Sequence, residues 1–234
     1  MIKRVLQSLS ILILAAGMAT TATLVIRRDV GGSGGGGSSC VPSQDTFTRG
    51  GTGDETLSDN PPESGTWGGA NASSGLFVID RANDVLKITT SGSFIVTWAD
   101  ALAGSSVTVY ATGVTNNTSN RRVGVVALTS DADTSAGYEA RWDQAGKLDL
   151  RDAGVQIAST TMATVLGSFS STTNYTIKLE ISDIGGAGQL LKVYVNDIEA
   201  TELRSINTAH TSGYGGVFVS QQEVRVTEAG IICP

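Results

Sequence analysis

From residue 41 onward, apolar and polar residues alternate along short stretches of the chain. The alternation has the period of two that is typical of strands with one buried and one solvated face. Gly, Asn, Asp and Ser fill the segments between these stretches, as turns require. A short helical stretch is predicted only around Thr161–Leu166, so the pattern indicates an all-β domain. The predicted strands are Asp45–Thr48, Gly75–Asp80, Asp84–Thr89, Ser93–Trp98, Ser106–Thr112, Arg122–Thr129, Gly137–Asp143, Lys147–Arg151, Val155–Ser159, Asn174–Asp183, Gln189–Asn196, Ile198–Leu203, Tyr214–Ser220 and Glu223–Glu228.

The segment 137–151 predicts a β-hairpin in a single register. Apolar residues alternate with charged residues on both of its strands. A three-residue turn, Gln144–Gly146, with its glycine in the left-handed conformation, places opposite charges across from one another. A shift of one residue would separate both the charged and the apolar partners. The predicted pairs are Asp143 with Lys147, Arg141 with Asp149 and Glu139 with Arg151 on the outer face, and Trp142 with Leu148 and Ala140 with Leu150 on the inner face.

A second hairpin is predicted over Asn174–Asn196, on either side of a glycine-rich loop. Its register sets Glu180 opposite Lys192. One buried and one solvated face is typical of strands in an antiparallel sandwich. The predicted inward residues are Tyr175, Ile177, Leu179 and Ile181 on the first strand and Leu191, Val193 and Val195 on the second.

The first 40 residues have a different character. The basic start MIKR precedes the uncharged run Val5–Ile26. That run is long enough to cross a hydrocarbon layer ~30 Å thick, and it also has the apolar centre and small residues of a signal peptide. Residues 1–28 are therefore predicted to be a hydrophobic helix that acts as a signal peptide, a membrane anchor or an assembly helix. Residues 29–40 are predicted to be a flexible Gly/Ser-rich linker, and residues 41–234 to be the β domain.

Charge and cysteine content narrow the functional classes. The net charge is −6, and no cluster of Lys and Arg follows residue 28, which excludes the basic surface that nucleic-acid binding needs. Only two cysteines occur, Cys40 at the start of the β domain and Cys233 at its end. They are interpreted either as a disulfide that joins the two ends or as two unpaired buried thiols. A disulfide would place the domain in an oxidising, extracytoplasmic compartment.

Four stretches carry a resemblance to a known family: DTFTRGGTGDETLSDN, GYEARWDQAGKLDLR, NYTIKLEISD followed by LLKVYVND, and SGYGGVFV. In this order they resemble the concanavalin A-like lectin/glucanase superfamily, and in particular its laminin-G-like jelly rolls. The resemblance covers nearly all of residues 45–230. It implies a two-sheet antiparallel jelly-roll sandwich whose concave face or edge loops bind carbohydrate. It also implies neighbouring termini, which agrees with a Cys40–Cys233 bridge.

The sequence lacks the closely spaced acidic run that glucanases of this superfamily carry on one strand. The nearest arrangement is Glu139 with Asp143, and the predicted basic partners of both would lower their pKa and make either a poor general acid. The single histidine, His210, is predicted to be a solvated loop residue. No catalytic residue is therefore predicted, and the chain is expected not to be an enzyme.

Sugar recognition needs aromatic platforms, and the chain offers several. Trp67 and Tyr214 lie among glycines and are expected to be exposed, whereas Trp98 and Trp142 are expected in the core. The predicted ligand-binding residues are Trp67, Tyr214, Tyr194 and Tyr110.

Asp131 and Asp133 form an Asp-x-Asp pair in a loop beside a predicted strand. Carboxylates at this spacing can contribute to a Ca²⁺ site, so calcium is a candidate cofactor. A plain Asx-rich turn is the alternative and preferred interpretation, because the full calcium-loop pattern is not present.

Taken together, these features predict an extracytoplasmic recognition module that binds glycans without catalysis, either secreted or anchored at the cell surface. One alternative is a structural component of a filament, coat or virion that assembles through its N-terminal helix, with a homo-oligomer as partner. A second alternative is a divergent polysaccharide hydrolase or lyase. The N-terminal segment is the predicted contact with a membrane.

Overall fold

The computed structural model describes residues 40–59, 62–103, 106–116, 120–183 and 187–234. These residues belong to one structural unit that extends to the C-terminus. The expectations for the hydrophobic helix and the linker fall on residues 1–39 and lie outside the described part of the chain. Among the described residues, no helix is both long and apolar enough to cross a membrane.

Strands account for most of the described chain, and the only two α-helices described in it have five residues each. The strands are β1 Ser43–Asp45, β2 Asp54–Thr56, β3 Trp67–Gly68, β4 Phe77–Asp80, β5 Val85–Ile88, β6 Ser93–Ala103, β7 Ser106–Val114, β8 Arg122–Thr129, β9 Tyr138–Asp143, β10 Lys147–Asp152, β11 Val155–Thr161, β12 Tyr175–Asp183, β13 Gln189–Val195, β14 Ile198–Glu199, β15 Ser205–Asn207, β16 Ser212–Ser220 and β17 Arg225–Ile232. The helices are α1 Gly69–Ser73 and α2 Met162–Leu166, and 3-10 turns span Leu57–Asp59 and Thr201–Leu203.

The strands form two antiparallel sheets. The ten-stranded sheet has the order β14-β13-β12-β7-β17-β5-β4-β2, with β1 also paired to β17 and β15 to β13. The seven-stranded sheet has the order β11-β10-β9-β8-β16-β6-β3. The predicted all-β, two-sheet antiparallel sandwich is thus confirmed.

The main core lies between the two sheets and is built from alternate residues of their strands. Its largest side chains include Trp98, Trp142 and Tyr138, each fully buried. The expected core positions of Trp98 and Trp142 are confirmed.

The β9–β10 hairpin has the predicted register. Arg141 lies opposite Asp149 and Trp142 opposite Leu148, and Gly146 in the turn has φ +80°. The ion pairs form along each strand and not across the predicted pairs, since Arg141 binds Glu139, and Asp149 binds Lys147 and Arg151. Asp143 Oδ1 instead accepts the backbone N–H groups of Ala145 and Lys147, both at 2.9 Å, and so stabilises the turn.

The β12–β13 hairpin also has the predicted register. Ile177, Leu179 and Ile181 pair with Val195, Val193 and Leu191. Glu180 lies opposite Lys192, with 3.2 Å between Oε1 and Nζ.

The two ends of the domain are joined. Cys40 and Cys233 form a disulfide with their Cα atoms 5.8 Å apart, and β1 pairs with β17 a few residues away. The disulfide alternative is therefore the one the structure shows.

Some predicted boundaries differ from the structure. The first strand ends at Asp45 because Phe47 has φ +53° and its N–H is bound by the Asp45 carboxylate, which turns the chain. The predicted strand Ile198–Leu203 is a two-residue strand followed by a 3-10 turn that buries Leu203. The short elements β2, β3, α1 and β15 were not predicted. Helix α2 confirms the predicted helical stretch, with Thr161 as its N-cap at 3.1 Å.

Candidate functional site

The outer face of the seven-stranded sheet carries charged and apolar side chains in two adjacent rows. Side chains along a strand alternate between faces, so residues between the core positions point outward. One row across the strands consists of Asp149, Arg141, Gly124, Phe218 and Ile95. The adjacent row consists of Arg151, Glu139, Val126, Gly216 and Thr97. Strand pairing alone therefore brings guanidinium groups, carboxylates and an aromatic ring together.

Glu139 lies buried within an ion-pair network, with only 1% of its side chain exposed. Its Oε1 is 2.6 Å from Nη1 of Arg141. Asp149 lies 3.0 Å from Nζ of Lys147 and 3.6 Å from Nη1 of Arg151. The pKa of Glu139 is raised overall. Burial raises it by more than the nearby guanidinium groups lower it. The expectation that basic partners would lower the pKa of Glu139 is therefore wrong, because the loss of solvation outweighs them.

Arg141 reaches across β8 to an aromatic ring on β16. Its Cζ lies 4.9 Å from the centroid of the Phe218 ring, within the range of a cation–π contact. Gly124 occupies the row position between them. A Cβ at Gly124 would lie 2.3 Å from the carbonyl oxygen of Ala140 and 2.5 Å from Cβ of Arg141. The absence of a side chain at Gly124 thus allows β8 and β9 to approach and Arg141 to extend over it.

A cavity of about 440 Å³ opens on this face. Glu139, Arg141 and Phe218 contribute to its lining, together with Asn71 of α1 and Asp133 of the loop after β8. Asp133 Oδ2 accepts the N–H of Asn71 at 2.8 Å, which joins the loop to the helix. Burial raises the pKa of Asp133. The cavity therefore combines groups that accept and donate hydrogen bonds with one aromatic surface.

The network on this face has hydrogen-bonding capacity that the described residues do not use. Arg141 Nε, Arg151 Nε and Thr97 Oγ1 are buried and have no hydrogen-bond partner among the described residues. Native proteins pair the large majority of such groups with protein or ordered water. Ordered water or a bound molecule would complete these hydrogen bonds on the outer face.

Comparison with known proteins informs the fold. No protein-family model matches the chain, and a search of curated proteins finds no match. A mutant of alginate lyase Aly36B in complex with alginate trisaccharide has a TM-score of 0.51 and 13% identity, over 82% of this chain and 98% of that chain. The carbohydrate-binding module CBM66 from Bacillus subtilis gives a TM-score of 0.46 and 16% identity, over 77% and 91% of the two chains. The carbohydrate recognition domain of Emp47p gives 0.49 and 14%, over 84% and 99%.

The chain has the concanavalin A-like jelly-roll fold. At 13% identity, the similarity to the alginate lyase shows the fold alone. The expected superfamily resemblance is confirmed at that level, and the narrower laminin-G-like assignment stays a prediction. In this jelly roll, the cavity lies on the outer face of the smaller sheet.

Trp67 is buried, so its expected exposure is wrong. It retains 6% exposure and stacks on Trp98 at 3.9 Å between ring centroids. Its Nε1 donates a hydrogen bond of 2.8 Å to Asp45 Oδ2. Trp67 closes one end of the core and offers no free ring face, and its predicted role in ligand binding stays untested.

The three predicted tyrosines lie in two places. Tyr214 is half-buried on β16, beside the bulge in its pairing with β6 and β8. Tyr110 and Tyr194 are half-buried on the outer face of the ten-stranded sheet, where both pair with Lys178 of β12. None of the three lines the cavity on the seven-stranded sheet. The four predicted aromatic residues therefore do not form one site.

Asp131 and Asp133 differ in their surroundings. Asp131 is exposed, and its backbone oxygen accepts the hydroxyls of Thr129 and Thr134. Asp133, with φ +63°, turns its carboxylate toward the start of α1. Within the described ranges, no cluster of three or more acidic, His or Cys side chains is placed to hold a metal ion. The calcium hypothesis thus rests on these two residues and stays a prediction.

Glu139 and Asp143 do not have the geometry of a glycosidase pair. Four residues apart on β9, their Cα atoms are separated by roughly 13 Å at ~3.3 Å per residue. Retaining hydrolases hold the two carboxyl groups ~5 Å apart and inverting ones up to ~9.5 Å apart. Asp143 is also engaged in the hairpin turn, away from the cavity.

His210 is half-buried, and the expectation of a solvated residue is wrong. Its Nε2 lies 2.7 Å from Asp152 Oδ1, and its ring contacts the ring of Tyr138 edge-on at 4.8 Å. Asp152 also accepts a hydrogen bond of 2.8 Å from Asn207. The histidine thus fastens the segment before β16 to the end of β10.

The sequence contains a signal for this face that the alternating pattern alone does not reveal. Ile95, Val126 and Phe218 form a buried cluster on the outer face, separate from the main core. They interrupt the alternating pattern with continuous apolar runs, such as VFV and VVA. A continuous run in an antiparallel strand indicates that both of its faces are covered.

Proposed function

We propose that the domain is a non-catalytic carbohydrate-binding module that binds a glycan in the cavity on the outer face of the seven-stranded sheet. One observation carries the proposal: the 440 Å³ cavity in which Arg141 lies on Phe218 beside the buried Glu139. Binding pockets commonly combine apolar surface with a few placed polar groups. A sugar matches both, since its hydroxyls pair with charged groups and its C–H surface packs on a ring.

The arrangement of the carboxylates supports recognition without catalysis. Glu139, the most buried carboxylate in the cavity, is held by the guanidinium of Arg141. The other acidic residue on its strand and face, Asp143, lies beyond the range of a hydrolase pair. Asp149 of the next strand is paired with Lys147 and Arg151. Charged groups held by one another provide a fixed pattern of donors and acceptors, which favours selective binding.

An extracytoplasmic location is part of the proposal. The Cys40–Cys233 disulfide supports it, since such bonds persist in oxidising compartments. Whether residues 1–28 are cleaved, span a membrane or assemble a polymer separates the secreted, anchored and structural forms of the hypothesis. The N-terminal sequence of the mature protein distinguishes cleavage from retention.

The test is binding of the full chain, with its disulfide formed, to an array of neutral and acidic glycans, followed by calorimetry on the glycans that bind. The double variant Glu139→Gln/Arg141→Gln removes both charges together and avoids leaving one buried charge unpaired. It should weaken binding at least tenfold, about 1.4 kcal/mol. The matched control is Arg81→Gln/Glu55→Gln, which removes an ion pair between the start of the β4–β5 turn and β2, away from the cavity.

Three results would contradict the proposal. Unchanged glycan affinity of Glu139→Gln/Arg141→Gln, with thermal stability retained, would show that the cavity does not bind the glycan. No binding to any glycan would remove carbohydrate recognition. Release of new reducing ends or unsaturated sugars from a polysaccharide, abolished by Glu139→Gln in a folded protein, would show the hydrolase or lyase alternative instead.

A further inference from the structure

The outer face of the ten-stranded sheet also carries a row of aligned residues. Tyr194 of β13 lies opposite Lys178 of β12, and Lys178 lies opposite Tyr110 of β7. Tyr110 in turn lies opposite Gly230 of β17. Because neighbouring strands are ~4.8 Å apart, the two tyrosines stand roughly 10 Å apart along this row. They flank Lys178 on the side of the sandwich opposite the cavity of the seven-stranded sheet.

The ring of Tyr110 lies over β17 because Gly230 has no side chain. A Cβ at Gly230 would lie 2.7 Å from Cε1 and 2.8 Å from Cζ of the Tyr110 ring. The phenol donates a hydrogen bond of 3.0 Å to Glu228 Oε1. The same oxygen accepts a hydrogen bond of 3.1 Å from Nε2 of Gln44. The ring is therefore held close to the sheet, with its orientation set from one end.

A cavity of about 410 Å³ opens beside this ring. Lys178 and Asp197 line it and pair at 2.5 Å. The hydroxyls of Thr112 and Thr176 also line it and are 2.7 Å apart. Most of its lining comes from β7, β12 and β17, which are central strands of the sheet. Sites built on strands hold their geometry better than sites built on loops.

The charges of this cavity favour an uncharged ligand. Its lining contains one cation, Lys178, and two carboxylates, Asp197 and Glu228. Lys178 is paired with Asp197, whereas Glu228 forms no ion pair with the residues that the structure describes. A polyanionic glycan would meet uncompensated negative charge, whereas the hydroxyls of a neutral sugar can donate to both carboxylates. The exposed side chain of Ile232 adds apolar surface at the margin.

We propose that this face is a second carbohydrate-binding site, selective for a linear neutral glycan that stacks one sugar on Tyr110 and extends along the row toward Tyr194. The site is independent of the cavity on the seven-stranded sheet. The domain then binds carbohydrate on both faces of the sandwich and can join two glycan chains. Two such sites raise the overall affinity for a polysaccharide surface without any new contact.

Calorimetry with linear neutral hexasaccharides and the full chain tests this directly. Tyr110→Ala should abolish or weaken binding at this site at least tenfold, about 1.4 kcal/mol. Tyr194→Ala should weaken it less. Tyr110→Phe keeps the ring but loses its hydrogen bond to Glu228, so it should weaken binding less than Tyr110→Ala does. A hexasaccharide of uronic acids should bind this site more weakly than the neutral one.

The design separates this site from the first. In the Glu139→Gln/Arg141→Gln background, binding with a stoichiometry of one that Tyr110→Ala then abolishes would support the second site, even if the first proposal failed. Wild-type affinity in both Tyr110→Ala and Tyr194→Ala, in that background, would overturn it. Absence of any neutral-glycan binding would overturn it as well. If Tyr110→Ala does not fold, Tyr194→Ala and the preference for neutral over acidic hexasaccharide decide the question.

Discussion

The guanidinium of Arg141 lies over the ring of Phe218, 4.9 Å from its centroid, and the two residues come from strands that are not neighbours. The strand between them, β8, presents Gly124 at the row position that separates the two side chains. The cavity on this face therefore depends on a residue without a side chain as much as on the charged ones.

Gly124→Ala should destabilise the domain by about 1–3 kcal/mol, as expected for an atom forced into a filled space. The added Cβ would lie 2.3 Å from a backbone oxygen of the adjacent strand, which cannot move aside alone. Chemical denaturation measures the loss. Gly50→Ala is the matched control, since a Cβ there meets nothing within 4 Å. Equal stability of the two variants would contradict the tight approach of β8 and β9.

Glu139 should make stability depend on pH in a defined direction. Burial raises its pKa in the folded state, so the folded protein binds this proton more tightly than the unfolded chain does. The unfolding free energy of the wild type, relative to Glu139→Gln, should thus fall as pH rises from about 4 through the folded-state pKa. Urea denaturation of both proteins between about pH 4 and pH 7 measures this difference. A difference that grew with pH would show that the arginines lower the folded-state pKa of Glu139 by more than burial raises it.

Asp45 should be a major contributor to stability at the end of the core. Its fully buried carboxylate accepts hydrogen bonds from Trp67 Nε1 at 2.8 Å and from the Phe47 N–H at 2.7 Å, and pairs with Arg49 at 2.9 Å. Asp45→Ala leaves Trp67 Nε1 and the Phe47 N–H without this acceptor inside the core and should cost about 3–5 kcal/mol. Asp45→Asn keeps one carbonyl oxygen and should cost less.

Thermal denaturation measures both Asp45 variants, and near-ultraviolet circular dichroism reports the packing of Trp67. The exposed Asp59 provides the control, and Asp59→Ala should change stability by less than about 0.5 kcal/mol. A loss for Asp45→Ala as small as that of the control would show that the buried hydrogen bonds contribute little.

The disulfide should contribute strongly to stability. It closes a loop with a sequence separation of 193 residues, for which the chain-entropy model gives about 5 kcal/mol. Cys40→Ser/Cys233→Ser should lower the unfolding free energy by about this amount, which is measured from the shift of the urea denaturation midpoint. Adding reductant should destabilise the wild type and leave the double variant unchanged. Insensitivity of the wild type to complete reduction would contradict this contribution.

Local structure was largely predictable from the sequence. The β9–β10 register followed from Arg141 facing Asp149 and Trp142 facing Leu148, since alternation and charge required the same pairing. The β12–β13 register followed in the same way from Leu179 facing Val193. In both cases the partners are close in sequence, and the turn between them limits the possible registers.

Pairings between distant segments were not predictable in this way. Phe218 of β16 and Arg141 of β9 meet only because β8 pairs with both strands, an order that no local pattern contains. The glycines around Trp67 also have a role other than the expected one of leaving the ring exposed. A Cβ at Gly65 would lie 2.3 Å from Ser43 Oγ, and one at Gly68 would lie 2.6 Å from Cα of Ala99. These glycines mark close approach of neighbouring segments and not exposure.

The bond between Cys40 and Cys233 also determines how the domain responds to mechanical tension. A pull on the chain ahead of Cys40 passes through the sulfur atoms to the end of β17 as well as to β1. Strand β17 is held on its two sides by β7, β5 and β1. Strand β17 therefore cannot leave the sheet under such a load without breaking its hydrogen bonds to β7 as well as those to β1. A domain bound to a surface and pulled through its N-terminal side would resist detachment by unfolding.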